Sequence, residues 1–171
     1  PNVEIIVVND HSTDLTEEVA RAFPVTVINA PDMPTGWTGK NWACWNGALQ
    51  AQGEYLLFTD ADTEHSVASL QKVIRFQNET RAEMISAPPF HLCGPKFEKF
   101  LSLFFLFPLI ITAYLRTPSA NRVFAIGQYL LMTRKSYFEL QGHLAIKSSL
   151  VDDLDLAQMY IKNKKIYRVY P

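Results

Sequence analysis

The sequence is poor in charged residues, cysteine and glycine. Charged side chains make up 19% of its 171 residues, whereas 48% of the residues are hydrophobic. This balance excludes a disordered chain, which combines low hydrophobicity with high net charge. The seven glycines exclude a collagen-like chain. The formal net charge of −1 gives no basic excess of the kind that nucleic-acid-binding domains carry, so no nucleic acid is expected as a partner.

Cysteine and histidine give no sign of a structural metal or a disulfide framework. The two cysteines, Cys44 and Cys93, lie far apart in the chain, and the four histidines show no short ligand spacing. The chain opens on Pro1 and enters an apolar stretch at once, so we expect it to be a piece of a longer protein. Its length predicts one domain over residues 1–171.

Short apolar runs alternate with helical patterns along the chain. Strands are expected at 4–8, 25–28, 55–59, 84–87, 129–133 and 166–169, and helices at 14–22, 41–52, 66–80, 97–115, 135–140 and 153–163. This alternation predicts an α/β domain in which helices flank a mostly parallel sheet. Ligands of such sheets bind beyond the carboxyl ends of the strands, so the polar residues that follow each strand are the candidate site residues.

Carboxylates follow two of the expected strands. Asp10 lies where the first strand gives way to a turn, and there it could bind a ligand or serve turn formation alone. Asp60 and Asp62 end the strand at 55–59, and their i, i+2 spacing on extended backbone points both side chains to one side. A hard divalent cation, Mg²⁺ or Mn²⁺, would relieve their repulsion. The alternative is a solvated turn that carries two aspartates.

Two further segments carry candidate chemistry. Three aspartates stand at the start of the last helical pattern: Asp152, Asp153 and Asp155. One of them could act as a general base, or all three could simply favour the helix dipole. Residues 36–43 open another helix with two glycines and Lys40, an arrangement suited to an anion, but they match neither the P-loop nor the dinucleotide-binding glycine pattern.

Taken in order, these segments resemble the inverting family 2 glycosyltransferases, which have the GT-A fold. Residues 8–14 resemble the family's V-x-D-x-S-x-D segment, residues 39–55 its G-K-x-x-A-x-N-x-G-x-x-x-A-x-G-x-Y stretch, and residues 59–62 its D-x-D motif. The pair at 152–153 stands where the family has Glu-Asp. Residues 36–45, 127–131 and 142–143 are similar to the bacterial branch that glycosylates lipids, such as the carotenoid-acid and hopanoid-associated glycosyltransferases. The family's first strand is expected upstream, outside this chain.

The resemblance implies metal-dependent transfer of a sugar from a nucleotide-diphosphate donor, a UDP-hexose such as UDP-glucose, with inversion at the anomeric carbon. Donor binding would fall to Asp10, Lys40 and Asp60. Asp62, together with Asp60, would hold Mn²⁺ or Mg²⁺. Asp153 would be the catalytic base that takes the proton from the acceptor.

The resemblance also implies a lipid acceptor that offers a hydroxyl or carboxyl group, at the cytoplasmic face of the cell membrane. Three residues would lie on the acceptor side: Asp152, Gln128 and His143. For His143 the alternative is a structural histidine whose ring is hydrogen-bonded within the protein. Residues 100–115 carry no charge and include Pro108 at the centre. The helix expected at 97–115 could lie in the membrane interface, pack in the protein core, or span the bilayer, for which the run is short.

Two other functions fit parts of the pattern. A haloacid dehalogenase-like phosphohydrolase also places D-x-D at a strand end, but that motif continues with Thr or Val where this chain has Glu64. A degenerate transferase domain that binds without catalysis is the second alternative. Retention of the aspartates at 10, 60, 62 and 153 favours an active enzyme over it.

Overall fold

The computed structural model describes residues 3–88 and 125–170. Its helices are Thr16–Arg21 (α1), Gly39–Gln50 (α2), Ser69–Thr80 (α3), Arg134–Glu139 (α4), Gly142–Ala145 (α5) and Asp152–Lys162 (α6). Its strands are Ile6–Asn9 (β1), Thr26–Asn29 (β2), Tyr55–Thr59 (β3), Met84–Ser86 (β4), Tyr129–Thr133 (β5) and Tyr167–Val169 (β6).

The expected elements are confirmed wherever the structure describes them. All six strands are present, and each expected helix except the one at 97–115 overlaps an observed helix. The helix expected at 97–115 lies outside the described residues, as do the three interpretations of it. Helix α5 was not expected. No helix in the described ranges is long and apolar enough to cross a membrane.

The strands form two sheets, one of β1 and β2 and one with the order β3-β5-β4-β6. β1 pairs with β2, and β4 with β6, in parallel, whereas β5 is antiparallel to both β3 and β4. The predicted α/β architecture is therefore confirmed. Strand β5 runs opposite to the other three strands of its sheet. The register of β5 pairs Tyr129 with Thr59. This reversal brings Gly127 and Gln128, which precede β5, beside the carboxyl end of β3.

The core forms on both faces of β5. Leu130 and Met132 pack towards the buried side chains of α4 and α6, whereas Leu131 packs with Val73 of α3. Successive strand residues point to opposite faces, and a buried leucine or methionine contributes about 1.5–3 kcal/mol. The central strand is thus held from two sides, which makes a firm support for the residues at its start.

Helix α2 holds the two sheets together. A Cβ atom built at Gly47 would lie 3.0 Å from a methyl group of Val8 in β1, while Ala48 belongs to the core cluster of the larger sheet. The Glu4 carboxylate, before β1, accepts the amides of residues 52 and 53, before β3, at 2.7 Å each. Within the described ranges β1 and β3 do not pair. The first strand that the resemblance implies upstream of this chain stays a prediction.

Candidate active site

Lys40 is the centre of a cluster at the carboxyl edge of the sheets. Its Nζ lies 3.2 Å from Oδ1 of Asp60, after β3, and 3.5 Å from Oδ2 of Asp152, at the start of α6. A Cβ atom at the neighbouring Gly39 would lie 2.8 Å from Oδ2 of Asp10, after β1. The three residues predicted to bind a donor therefore come together, although they belong to different segments of the chain.

The charges of this cluster stabilise one another. Burial on its own would lower the pKa of Lys40, but the carboxylates of Asp152 and Asp60 outweigh burial and raise that pKa above its usual value. Lys40 is therefore cationic at neutral pH. Without a cation between them the two carboxylates would repel each other.

Asp152 is the most enclosed carboxylate of the cluster, with 13% of its side chain exposed. Burial raises its pKa, the Lys40 ammonium opposes that rise, and the neighbouring charge of Asp153 adds to it. The sequence predicted an acceptor-side position for Asp152. The structure places it against Lys40, on the same side as Asp60.

Both oxygens of Asp153 are held by backbone amides. Oδ2 accepts from the N–H of Gly127 at 3.0 Å, and Oδ1 accepts from the N–H of Leu154 at 2.8 Å. A Cβ atom at Gly127 would lie 3.3 Å from Nζ of Lys40 and 3.6 Å from Cβ of Asp153. The glycine backbone thus sits between the lysine and the candidate base, a role that was not predicted from the sequence. A glycine just before a strand at the site edge was the available signal.

A buried serine fixes the segment that contains Gly127. Ser86, at the end of β4, is fully buried, and its Oγ accepts from the N–H of Ile126 at 2.8 Å and donates to the carbonyl of Ile126 at 3.2 Å. These contacts join the segment before β5 to the neighbouring strand. The amide that orients Asp153 is therefore part of the sheet framework.

Asp62 lies beyond the end of β3 with its side chain exposed. In the same loop Nε2 of His65 lies 2.9 Å from the Thr59 hydroxyl. Over residues 3–88 and 125–170 no three metal-ligating side chains are gathered in one place. Mg²⁺ commonly takes only one or two carboxylates and completes its shell with water and substrate phosphates. Asp60 and Asp62, two residues apart after β3, stay the predicted carboxylates of such a partial ligand set.

His143 and Gln128, both predicted on the acceptor side, occupy different environments. Gln128 is half-buried directly before β5. His143 is 0% exposed, its Nδ1 lies 2.8 Å from the Tyr137 hydroxyl, and its ring meets Phe58 edge to face at 4.8 Å. Of the two positions left open for His143, the structure therefore supports the buried, structural one over the acceptor side, because the side chain has no exposed surface to offer an acceptor.

His143 is expected to make the protein less stable in acid. Burial, aided by Lys40, lowers its pKa from 6.5 to about 3. Below pH 6.5 the unfolded chain binds a proton that the folded chain does not, so the free energy of unfolding falls as the pH drops towards 3. Between pH 7 and pH 5 this loss is about 2 kcal/mol, measurable by urea unfolding at both values. His143→Gln should remove that part of the pH dependence, and identical pH slopes in the two proteins would contradict the assignment.

Known proteins resemble the chain in both sequence and fold. The family model described as Glycosyl transferase family 2 matches residues 1–140. The 4,4'-diaponeurosporenoate glycosyltransferase of Staphylococcus aureus (strain USA300) is 28% identical over 175 residues, a match that covers 98% of this chain and 46% of that protein. The chain thus spans about half the length of the curated relatives it matches.

Solved structures resemble the chain over almost its whole length. Glucosyl-3-phosphoglycerate synthase from Mycobacterium tuberculosis, in complex with Mn²⁺, UDP-glucose and phosphoglyceric acid, has a TM-score of 0.56 at 19% identity and covers 96% of this chain and 57% of that chain. Mannosyl-3-phosphoglycerate synthase from Rubrobacter xylanophilus has a TM-score of 0.53 at 17% identity, covering 98% and 54%. At such identities the likeness shows the fold, and the predicted GT-A fold is confirmed.

Proposed function

We propose, since the chain belongs to glycosyl transferase family 2, that it carries the site at which a nucleotide-diphosphate sugar is bound and its sugar transferred with inversion. The observation that carries this proposal is the position of Lys40 between Asp60 and Asp152, with Asp153 fixed beside it. The reaction needs a cation to offset charge on the leaving diphosphate, which Lys40 can supply. It also needs a base to accept a proton, which the oriented carboxylate of Asp153 can supply.

The chain's own residues account for binding and orientation. Asp10 borders the loop that carries Lys40 and is suited to accept hydrogen bonds from the nucleobase. Lys40 faces the diphosphate, and Asp60 faces the ribose or the phosphates. Where a divalent cation binds, Asp60 and Asp62 would hold it, and it would neutralise the charge that develops on the leaving diphosphate.

Asp153 is suited to be the base. Its two amide hydrogen bonds fix the carboxylate plane and leave the remaining lone pairs free to accept the proton of an attacking hydroxyl. In one displacement the acceptor oxygen bonds to the anomeric carbon as the bond to the diphosphate breaks, and the configuration inverts. No residue of the protein becomes covalently bound to the sugar.

For the acceptor we propose a lipid that offers a hydroxyl or a carboxyl group, at the cytoplasmic membrane face. The name of the S. aureus relative, a diaponeurosporenoate glycosyltransferase, supports an apolar acid. The two acceptor types differ in whether they require a general base. A carboxyl group is already ionised at neutral pH, whereas a hydroxyl group must lose its proton to a base. Dependence of the rate on Asp153 therefore separates them.

The family match leaves the haloacid dehalogenase alternative without support. The non-catalytic alternative is separated by experiment. Calorimetry on the full-length protein should show that Mn²⁺ tightens UDP-glucose binding by about tenfold or more, and that Asp62→Ala removes this gain. Glu79→Ala, which removes an exposed carboxylate of α3, is the matched control.

A transfer assay with lipid alcohols and lipid acids completes this test, with the anomeric configuration of the product read by NMR. The inverted anomer supports the proposal. Nucleotide-sugar binding that Mn²⁺ does not change, together with no transfer to either acceptor, would favour the non-catalytic domain.

A further inference from the structure

We propose that Asn41 is a positioning residue that couples Lys40 to Asp152 and Asp153, at the start of α6. This inference rests on the proposed function for its kinetic consequence, while its structural part can be tested without activity. Asn41 lies in the first turn of α2, directly after Lys40, and is 1% exposed. Its side chain contacts the loop at 146–149.

The amide of Asn41 binds that loop through three carbonyl groups. Its Nδ2 lies 3.0 Å from the carbonyl oxygen of Ile146, 3.3 Å from that of Lys147 and 3.1 Å from that of Ser149. The amide orientation is fixed, because an oxygen in the place of Nδ2 would face three acceptors. One side chain thus joins the first turn of α2 to a loop more than a hundred residues away.

The N-cap residue of α2 adds to the same contact. The N–H of Thr38 donates to the carbonyl of Lys147 at 2.9 Å, and its hydroxyl lies 3.4 Å from the carbonyl of Ser149. The Ser149 hydroxyl in turn donates to Oδ2 of Asp155 at 2.6 Å and accepts from the N–H of Val151 at 3.1 Å. The loop is therefore bonded at one end to α2 and at the other to the first turn of α6.

Among the described residues only the nitrogen of the Asn41 side-chain amide is hydrogen-bonded. Its Oδ1 is buried and has no hydrogen-bond donor among the described residues. A buried acceptor left without a donor costs about 1–3 kcal/mol. While Oδ1 has no donor, the Asn41 nitrogen binds the loop that leads into Asp152 and Asp153. A shift in this loop would move both carboxylates relative to Lys40, and a misplacement of about 1 Å can lower a rate by about 10².

The test is a graded series at residue 41 of the full-length protein. Asn41→Ser keeps one donor and Asn41→Ala keeps none. Hydrogen exchange should become faster at the amides of Ser149 and Val151, by about tenfold or more in Asn41→Ala and by less in Asn41→Ser. We expect kcat to fall by about 10- to 100-fold in Asn41→Ala, with the Kd for UDP-glucose within about threefold of the wild-type value, because Lys40 and Asp60 are not part of the loop.

Asn46→Ala is the matched control. Asn46 is on the same helix, but among the described residues its amide donates within α2, to the carbonyl of Trp42 at 2.7 Å, and not to the loop. Loop exchange and kcat should therefore stay unchanged. Unaltered loop exchange in Asn41→Ala, or equal acceleration in Asn46→Ala, would overturn the coupling. Faster exchange with an unchanged kcat would reduce Asn41 to a structural residue and overturn the positioning role. If Asn41→Ala does not fold, Asn41→Ser decides both points. A wild-type protein without transferase activity would refute the proposed function and still let the exchange data decide the coupling.

Discussion

Replacing Asp153 with asparagine is expected to lower kcat for a hydroxyl acceptor by about 10³-fold, because general-base catalysis contributes about 10²- to 10⁴-fold. The substitution keeps the shape of the side chain. Its amide oxygen can still accept from Gly127 or Leu154, so only one of the two backbone hydrogen bonds is lost, at a cost of about 1 kcal/mol. Donor affinity should stay within about threefold of wild type, since Asp153 does not contact Lys40 directly through an ion pair and its loss removes no donor ligand.

The measurement is steady-state transfer to a lipid alcohol by the full-length protein, with UDP-glucose affinity determined separately. Asp155→Asn is the control, because Asp155 lies in the same first turn of α6 and an asparagine there still accepts from the Ser149 hydroxyl. A kcat for Asp153→Asn within a few-fold of the control would contradict the assignment of the base. A loss seen with a lipid alcohol and not with a lipid acid would identify attack by an already ionised carboxylate.

Most of the fold could be predicted from the sequence because its strands are short, apolar and separated by helical patterns. Apolar runs and helical patterns are local properties of the chain, and the apolar runs predicted the positions of all six strands. The reversal of β5 could not be predicted in this way, because strand direction depends on the connection before it and on pairing with β3 and β4. Helix α5 has only four residues, too few for a periodic pattern.

Some residues of the candidate site could be predicted from the sequence in the same way, and others could not. Asp10, Asp60 and Asp153 each follow a strand or open a helix, and their convergence follows from the rule that ligands bind at the carboxyl edge of such sheets. The contribution of Gly127 is a backbone N–H, which no side-chain pattern reveals. The Asn41 side chain binds backbone carbonyl groups of a distant loop, and carbonyl groups are present in every residue, so no sequence pattern identifies these partners.

His143 shows why residue type alone cannot place a side chain. From the sequence, this histidine beside Gly142 could line the acceptor site or be a structural residue. The ring packs among Phe58 and Tyr137, and the Tyr137 hydroxyl supplies its polar partner. The burial of a residue depends on what surrounds it in three dimensions, and only the structure gives that.

Replacing Lys40 with methionine is expected to weaken UDP-glucose binding by about 10- to 100-fold. This range corresponds to the loss of one hydrogen bond to a charged group, about 1.5–3 kcal/mol. Methionine keeps the unbranched, flexible shape of the side chain, but it is one heavy atom shorter and lacks both the charge and the N–H donors. The loss should be largest at low salt, because screening weakens the attraction between Lys40 and a diphosphate as the ionic strength rises. Calorimetry at two salt concentrations measures both effects, and Lys72→Met, an exposed lysine of α3, is the control.

The same substitution should also raise the pKa of Asp152. Burial already raises the pKa of this carboxyl group and Lys40 opposes the rise, so removal of the ammonium should raise that pKa further. Asp152→Asn should then recover part of the stability lost in Lys40→Met, because it removes the enclosed carboxylate that has lost its cation. Unfolding in urea across the four proteins of this double-mutant cycle measures the coupling. Strictly additive losses would show that the contact at 3.5 Å carries no interaction energy. Donor affinity unchanged in Lys40→Met would show that the ammonium serves the two aspartates and not the donor.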